Sequence, residues 1–435
     1  MSFQRDVKDK KVLVFGLGLQ GGGLGDALWL SKHGAKVRVT DPKNLASLPI
    51  EIEVVEGSHR DIDIDWADMI IKNPAVPPNQ PQLLYARQKN KPVLTSIAVL
   101  VKEIRQKTIA ITGTRGKSTV TALVFELLQS AYPGRVVQGG NIPGTSGLAL
   151  LDQVIDIDYA VLELSSFQLE GFHELNLSPH IAIVTNIYPD HLNRYPDMSS
   201  YIADKSSITK YQKEGDYALV NKGNEGAKKL GKLTPANLLY YSEDDLPPDL
   251  EVKLIGEHNR ENLAAVFVLA KHLGISSDLV RNIARTFTGL PYRLETVARL
   301  QDVAFVNDTT STTPIATIKA INALEGSFII IVGGESKNLP IDDMIELLAN
   351  SPKVRKIVIL GSDNNTEFLS AINRACSKKI LGYANSMPQA VKLAFTNARA
   401  QEQILLSPGF ASFDLFKNEF DRGDQFNESI KKLNT

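Results

Sequence analysis

The sequence has little cysteine and no long apolar run. Cys376 is the single cysteine, so no intramolecular disulfide can form and no cysteine-based metal spacing exists. A reducing compartment fits. No stretch approaches the roughly 20 apolar residues that a membrane-spanning helix requires. Excess charge of one sign is also missing, with 48 Lys and Arg against 49 Asp and Glu. The overall field therefore attracts neither nucleic acid nor a membrane surface, and any anionic ligand must be met by local groups. The opening segment MSFQRDVKDKKVLVFGLG carries charges as far as Lys11 and then a short apolar run ending in glycines. That pattern is a strand rather than the apolar region of a secretion signal, and the expected location is the cytoplasm.

What is present is an ordinary globular composition, 43% hydrophobic and 22% charged over 435 residues. Such a length implies more than one core. Residues 11–41 read as strand, glycine-rich turn, helix and second strand, and strand-like ADMIIKNPAV and KPVLTSIAVL follow. The polar segment EIRQK precedes a new strand, TIAITG, and a new glycine turn. Strands around YAVLEL, HIAIVTN, YALVN and LLYYS follow, with helices through YIADKSSITKYQK and GEHNRENLAAVFVLAKHLG, the latter stopped by Gly274. After GLPYRLE, the runs VAFVNDTT, SFIIIVGG, KIVIL and QILLSPG supply four more strands. The alternation predicts an α/β fold in three domains, 1–104, 105–294 and 295–435, each with a mostly parallel sheet.

Gly16, Gly18 and Gly21 match G-x-G-x-x-G between a strand and a helix, and Asp41 ends the next strand where a ribose-binding carboxylate would sit. Glycines let the backbone approach a pyrophosphate, and a helix N-terminus offers N–H groups to any phosphate. A dinucleotide or a nucleotide-sugar diphosphate satisfies this turn equally well.

The second turn is more specific. Thr112, Gly113, Thr114, Arg115, Gly116, Lys117, Ser118 and Thr119 lie between an apolar strand and a helix. Backbone amides of such a loop cradle phosphate oxygens, Lys117 adds a point charge, and Ser118 or Thr119 offers a hydroxyl to Mg²⁺. The general pattern G-x-x-x-x-G-K-[ST] fails at its first position, where Ile111 stands.

TGTRGKST resembles the short phosphate loop of the Mur ligases and of their relative folylpolyglutamate synthase. Asn141 in GGNIPG, Glu163 in VLELSSFQLE, His191 in TNIYPDHLNRY, Lys205 in YIADKS, Asn262 in GEHNRENLAA, Arg293 in GLPYRLE and Asp308 in VNDTT then fall in that family's order. The resemblance implies an N-terminal Rossmann-like domain, a central P-loop ATPase-like domain and a C-terminal Rossmann-like domain. It further implies ATP bound by Gly113, Thr114, Gly116, Lys117, Ser118, Thr119, Asn262, Arg293 and Asp308. Lys117, Glu163, His191 and Lys205 would be catalytic. Two Mg²⁺ ions would be held by Ser118, Glu163, His191 and a carbamylated Lys205, whose carbamate replaces a cation with a carboxylate. By itself, an isolated histidine is more often a satisfied core group, and a lysine in a polar helix is usually solvated. Gly16, Gly18, Gly21, Asp41 and Asn141 would receive UDP-N-acetylmuramoyl-L-alanine.

The segment ILLSPGFASFDLFKNEFDRGDQF resembles the signature of the glutamate-adding members of that family. Thr312, Lys337, Ser412 and Phe420 are the expected amino-acid contacts, because an anionic amino acid needs donors and a cation. Where the family commonly has NDSKATN, this chain has Thr310 in place of the lysine and Thr313 in place of the asparagine, and Glu419 takes a position often aromatic. The resemblance implies D-glutamate as the amino acid added, with L-glutamate the alternative that these changes around the pocket keep in view. A neighbouring Mur ligase or a folylpolyglutamate synthase is the alternative within the class. An NAD-dependent oxidoreductase built on the first glycine turn leaves TGTRGKST unexplained. The expected enzyme is a monomer that meets neither nucleic acid nor membrane.

Overall fold

The computed structural model describes residues 2–18, 22–41, 52–57, 59–142, 144–192, 194–254, 256, 258–337, 339–361 and 365–434. Gly21 lies outside them. Two compact units are formed, Met1–Ile187 with Ser199–Pro248 and Glu261–Ile283, and Tyr188–Met198 with Asp249–Arg260 and Ala284–Thr435.

The first unit contains two parallel sheets. One comprises β1 (Lys11–Phe15), β2 (Lys36–Asp41), β3 (Glu53–Glu56), β4 (Met69–Lys72) and β5 (Val93–Leu94), in the order β3-β2-β1-β4-β5. The chain reverses its direction of winding between β1 and β4, and the glycine turn leaves β1 at that point, where open α/β sheets receive ligands. The other sheet comprises β6 (Thr108–Thr112), β7 (Val136–Gly140), β8 (Tyr159–Glu163), β9 (Ile181–Val184), β10 (Tyr217–Asn221) and β11 (Asn237–Tyr241), in the order β11-β10-β9-β6-β8-β7. All five of its pairings are parallel. Its central strands are buried along their length, as Ile109, Ala110, Ile111, Val161, Leu162, Ile183 and Val184 require when helices cover both faces.

The second unit holds β12 (Glu295–Leu300), β13 (Val303–Asn307), β14 (Phe328–Val332), β15 (Val354–Leu360), β16 (Ile380–Ala384) and β17 (Gln403–Leu406), in the order β12-β13-β17-β14-β15-β16. The edge strand β12 is antiparallel to β13 and the rest are parallel. Gln301 and Asp302 alone join β12 to β13, with φ of 47° and 62°. Two successive left-handed residues match the twist of the strands they connect. Two apolar clusters cover the faces of this sheet, one around Phe328, Ile330 and Phe368, the other around Phe305, Ile404 and Phe426.

KPVLTSIAVL departs from expectation. Only Val93–Leu94 is strand, and Ser96–Ile104 is a helix whose first six residues are all buried. An apolar run with no alternation carries no period by which to separate a buried helix from a buried strand. β3, β7, β12 and β16 were not expected either: all four are sheet edges, β7 ends in two glycines, and the other three are of mixed polarity.

Buried polar groups lock both units. Arg422, on the helix Glu419–Lys431, is 1% exposed. It donates to Thr309 Oγ1 and O at 3.0 and 2.9 Å and to the carbonyls of Phe410 and Ala411 at 3.2 and 3.4 Å. Burial pushes its guanidinium down to about 10. In the first unit, Asp26 on the helix Gly22–Lys32 accepts from Ser146 Oγ at 2.5 Å and from Leu148 N at 3.3 Å. Burial raises the Asp26 carboxyl from the ordinary 3.8 to about 6, against the lowering effect of its hydrogen bonds to Ser146, Ser96 and Leu148.

A carboxyl raised on folding binds more protons in the native state between those two values, so its contribution to stability is full below the ordinary value and falls as pH rises through about 6. Asp26→Asn keeps the acceptor oxygen and removes the titration. Urea unfolding is expected to shift in favour of the variant by about 1–3 kcal/mol between pH 4 and pH 7. A difference between the two proteins that stays flat over that range would refute this account of Asp26.

Candidate functional site

The first unit concentrates its functional groups at the C-terminal ends of β6, β8 and β9. β6 delivers a loop of four residues, 113–116, into the helix Lys117–Ala131. Gly113 has φ of 151°, and a Cβ there would stand 1.9 Å from Thr185 Oγ1. Gly116 has φ of 81°, and its Cβ would lie 2.5 Å from Asn262 Oδ1. Only glycine fits the loop at these two places. The segment after β9 braces it: Thr114 N donates to Asn186 O at 2.7 Å, Arg115 N to Asn186 Oδ1 at 2.9 Å, and Thr185 Oγ1 to Arg115 O at 2.6 Å. Thr114 Oγ1 lies 3.1 Å from the Tyr201 hydroxyl.

Two lysines converge on one oxygen. Lys117 Nζ donates to Gly113 O at 3.1 Å and to Thr114 O at 3.2 Å. Lys205 is 1% exposed and also reaches Gly113 O at 3.1 Å, with Thr112 Oγ1 at 3.4 Å. Lys205 is therefore not a solvated helix lysine. Two ammonium groups around one carbonyl, at the start of a helix whose dipole is positive at that end, make a strongly anion-seeking locus.

Glu163, the last residue of β8, is 4% exposed and pairs in register with Ile111 on β6, two residues before the loop. Asn141 holds it, donating from its backbone N to Glu163 O at 2.7 Å and from Nδ2 to Glu163 Oε1 at 3.0 Å. Ser118 and Thr119 stand in the first turn of the loop helix. The carboxylate of Glu163 and the hydroxyl of Ser118 are hard oxygen donors that suit Mg²⁺. Among the described residues no three His, Cys, Asp or Glu side chains gather as a metal cage. Few protein ligands, with phosphate oxygens completing the shell, are what Mg²⁺ normally takes.

The glycine turn is stiffened from two sides. Asp41 is buried, and its Oδ2 accepts from Leu17 N at 2.8 Å, so this carboxylate shapes the turn itself. Gly16 and Gly18 have φ of 83° and 69°. A Cβ on Gly18 would meet Asn73 Nδ2 at 2.6 Å.

The second unit carries the remaining predicted residues. His191 has φ of 56°, and its N donates to Asp190 Oδ1 at 2.9 Å. Asp190, which sequence reading passed over, has one carboxylate oxygen 3.8 Å from His191 Nε2 and the other 3.8 Å from Lys337 Nζ. Lys337 Nζ donates to Thr312 Oγ1 at 3.1 Å. Thr312 and Lys337 line a small cleft with Pro314, Ser336, Leu339, Gly409 and Phe410. Ser412 and Phe420 are not among its lining residues. Ser412 is buried, and Phe420 sets its ring 5.8 Å from that of Tyr292.

Arg293 sits between Tyr292 and Leu294, both left-handed at φ of 64° and 46°. Two strained residues side by side around an arginine mark a held conformation. Asp308 accepts from Ser311 Oγ at 2.5 Å, Ser407 Oγ at 2.8 Å and Leu294 N at 3.2 Å. Burial raises its carboxyl to about 6, and Arg293 opposes that rise. His258 is pushed down to about 4 by burial and by the charges of Lys319 and Arg293, so it is neutral near pH 7. Thr185, Asn186 and Tyr201 were also absent from the sequence reading. A T-N pair at the end of a buried strand was their available signal.

Comparison with known proteins agrees with this geometry along the chain. The models described as Mur ligase MurD-like, N-terminal domain, Mur ligase middle domain, and Mur ligase, glutamate ligase domain match residues 10–95, 111–249 and 292–410. The UDP-N-acetylmuramoylalanine--D-glutamate ligases of Roseiflexus sp. (strain RS-1) and Borreliella afzelii (strain PKo) are each 33% identical to this chain, over 98% of it and 99% of each relative. Among solved structures, UDP-N-acetylmuramate-alanine ligase from Thermotoga maritima matches with a TM-score of 0.62 at 17% identity, over 98% of this chain and 100% of that one. MurF ligase from Thermotoga maritima in complex with ADP matches with a TM-score of 0.59 at 17% identity, over 99% and 97%. These structures share the fold, and the curated relatives extend over nearly the whole sequence: the chain belongs to the Mur ligase family.

Proposed function

We propose that this chain is an ATP-dependent ligase that joins D-glutamate to UDP-N-acetylmuramoyl-L-alanine. The observation that carries the reading is the convergence of Lys117 and Lys205 on the Gly113 carbonyl, in a glycine-shaped loop beside Glu163. Such a locus is built for the terminal phosphates of a nucleotide. Full-length similarity to D-glutamate ligases supports the choice of substrates over the L-glutamate alternative.

The substrate carboxylate attacks the γ-phosphorus of ATP, the bond to the bridging oxygen breaks, and ADP leaves with that electron pair. The glutamate amine then attacks the acyl phosphate carbon, phosphate departs, and the nitrogen loses a proton. Loop amides and Lys117 hold the phosphates, and Gly113, Thr114, Gly116, Thr119, Asn262, Arg293 and Asp308 are assigned to the nucleotide. Mg²⁺ supplies positive charge against the phosphoryl oxygens when bound. Ser118 and Glu163 are its assigned oxygen donors, with His191 and Lys205 for a second ion; carbamylation would turn the Lys205 ammonium into a carboxylate, leaving Lys117 and the loop amides to face the phosphates. Gly16, Gly18, Gly21, Asp41 and Asn141 are assigned to the UDP substrate, Asp41 and Asn141 acting by holding the turn and Glu163. Thr312 and Lys337 are assigned to the glutamate carboxylates, and Ser412 and Phe420 to the same amino acid. The reading carries with it the domain boundaries 1–104, 105–294 and 295–435 and a cytoplasmic monomer.

Purified protein with Mg²⁺ is expected to release phosphate from ATP only when UDP-N-acetylmuramoyl-L-alanine and D-glutamate are both supplied. L-Glutamate run in parallel decides the stereochemistry. Turnover with L-alanine alone would reassign the ligase, and NADH oxidation would move the chain to another class.

Lys205→Ala is expected to lower turnover by at least about 100-fold, with partial recovery on adding bicarbonate or a short carboxylic acid. Undiminished turnover would remove Lys205 from the site. Gly113→Ala forces a side chain into a backbone conformation it resists, at a cost of roughly 1–3 kcal/mol. Phosphate release should fall with it, and Gly113→Ala/Thr185→Ala should not recover, because the clash is relieved and the backbone strain is not. Recovery would show that space alone selects glycine there.

A further inference from the structure

The first unit contains a buried ion pair to which the reaction assigns no step. Lys72 ends β4, is 2% exposed, and donates from Nζ to Val76 O at 2.9 Å and to Glu170 Oε2 at 3.1 Å. Glu170 lies on the helix Ser166–His173. Nearly complete removal of both charges from water offsets most of their attraction, so a pair of this kind contributes little to stability and a great deal to geometry when it acts at all.

Its two ends lead to two different parts of the site. On one side, Val76 belongs to the turn that follows β4, where Asn73 N donates to Phe15 O at 3.0 Å, Ala75 N to Asn73 Oδ1 at 2.9 Å and Val76 N to Asn73 O at 3.0 Å. That turn is the floor of the glycine turn: a Cβ on Gly16 would lie 3.0 Å from Val76 Cγ2, and one on Gly18 would be 2.6 Å from Asn73 Nδ2. On the other side, the helix of Glu170 begins with a capping box between Ser165 and Gln168, two residues after Glu163. The next residue, Gly171, seats that helix against Thr95, whose Oγ1 would be 2.5 Å from a Cβ there. A single polar link therefore runs from the glycine turn through Val76, Lys72 and Glu170 to the element that leaves Glu163.

We propose that Lys72 and Glu170 are a positioning pair that fixes the seat of the UDP diphosphate relative to Glu163 and the phosphate loop, and so sets how the acceptor carboxylate meets the γ-phosphate. The inference rests on the reaction proposed above. Neither residue touches the reacting atoms. An ammonium suits the task because one nitrogen serves a carbonyl and a carboxylate in different directions, and swapping the two charges would leave Val76 O without a donor.

The test compares Lys72→Met, Glu170→Gln and the double variant Lys72→Met/Glu170→Met with wild type, by thermal melting and by steady-state kinetics in each substrate. Each single change strands a buried charge and should lower the melting temperature; the double change removes both charges and should recover it. kcat/KM for UDP-N-acetylmuramoyl-L-alanine is expected to stay about 10–100-fold down in the double variant, while KM for ATP is unchanged. A double variant with wild-type kcat/KM would reduce the pair to a structural role and overturn the proposal. An equal loss of affinity for ATP would overturn it as well, since the damage would then not lie in the relation between the two seats. Wild-type protein that turns over no UDP substrate would overturn the proposed reaction, and this inference with it.

Discussion

The Gly113 carbonyl organises the first unit. It accepts from two lysines, one at the start of the loop helix and one buried on the helix Met198–Lys210. Gly113 can present that oxygen only because its backbone takes a conformation closed to other residues. Thr185 and Asn186 then fix the rest of the loop from the neighbouring strand. Strand order matters here: β6 lies between β8 and β9, so one flank supplies Glu163 and the other the brace. Parallel strands bring all three C-terminal ends to one level, and chemistry follows from that level.

Charge is distributed with the same economy in the second unit. Asp190 stands between His191 and Lys337, and Lys337 turns toward Thr312. Asp308, expected to face a nucleotide, spends its oxygens on Ser311, Ser407 and Leu294 N. Its carboxylate shapes the loop that follows β13, much as Asp41 shapes the glycine turn. In both cases an acid at or just past the end of a strand ties down the adjoining loop, Asp41 through Leu17 N and Asp308 through Leu294 N and the Ser311 and Ser407 hydroxyls.

Much of this was legible in the sequence, and the reasons differ by region. Short apolar runs followed by a glycine within a few residues announced β1, β6, β14 and β17, because buried parallel strands need continuous apolar residues and their turns need glycine. TGTRGKST announced the loop, since few other uses require that order between a strand and a helix. Lys205, by contrast, looked solvated: its burial depends on Thr112 and Gly113, some 92 residues earlier, and no local pattern encodes that distance. Asp190 and the Lys72–Glu170 pair were invisible for the same reason. KPVLTSIAVL misled because helices and strands buried on every side share one composition.

Arg422 has an outcome for the order in which the molecule matures. The loops it fastens, at Thr309 and at Phe410 and Ala411, are both synthesised before it. Until that guanidinium arrives, the carbonyls of Thr309 and Phe410 wait for this donor, and Phe410 is one of the residues lining the cleft. A nascent chain emerging amino-terminal end first therefore holds its phosphate loop long before Arg422 can fasten Thr309 to Phe410.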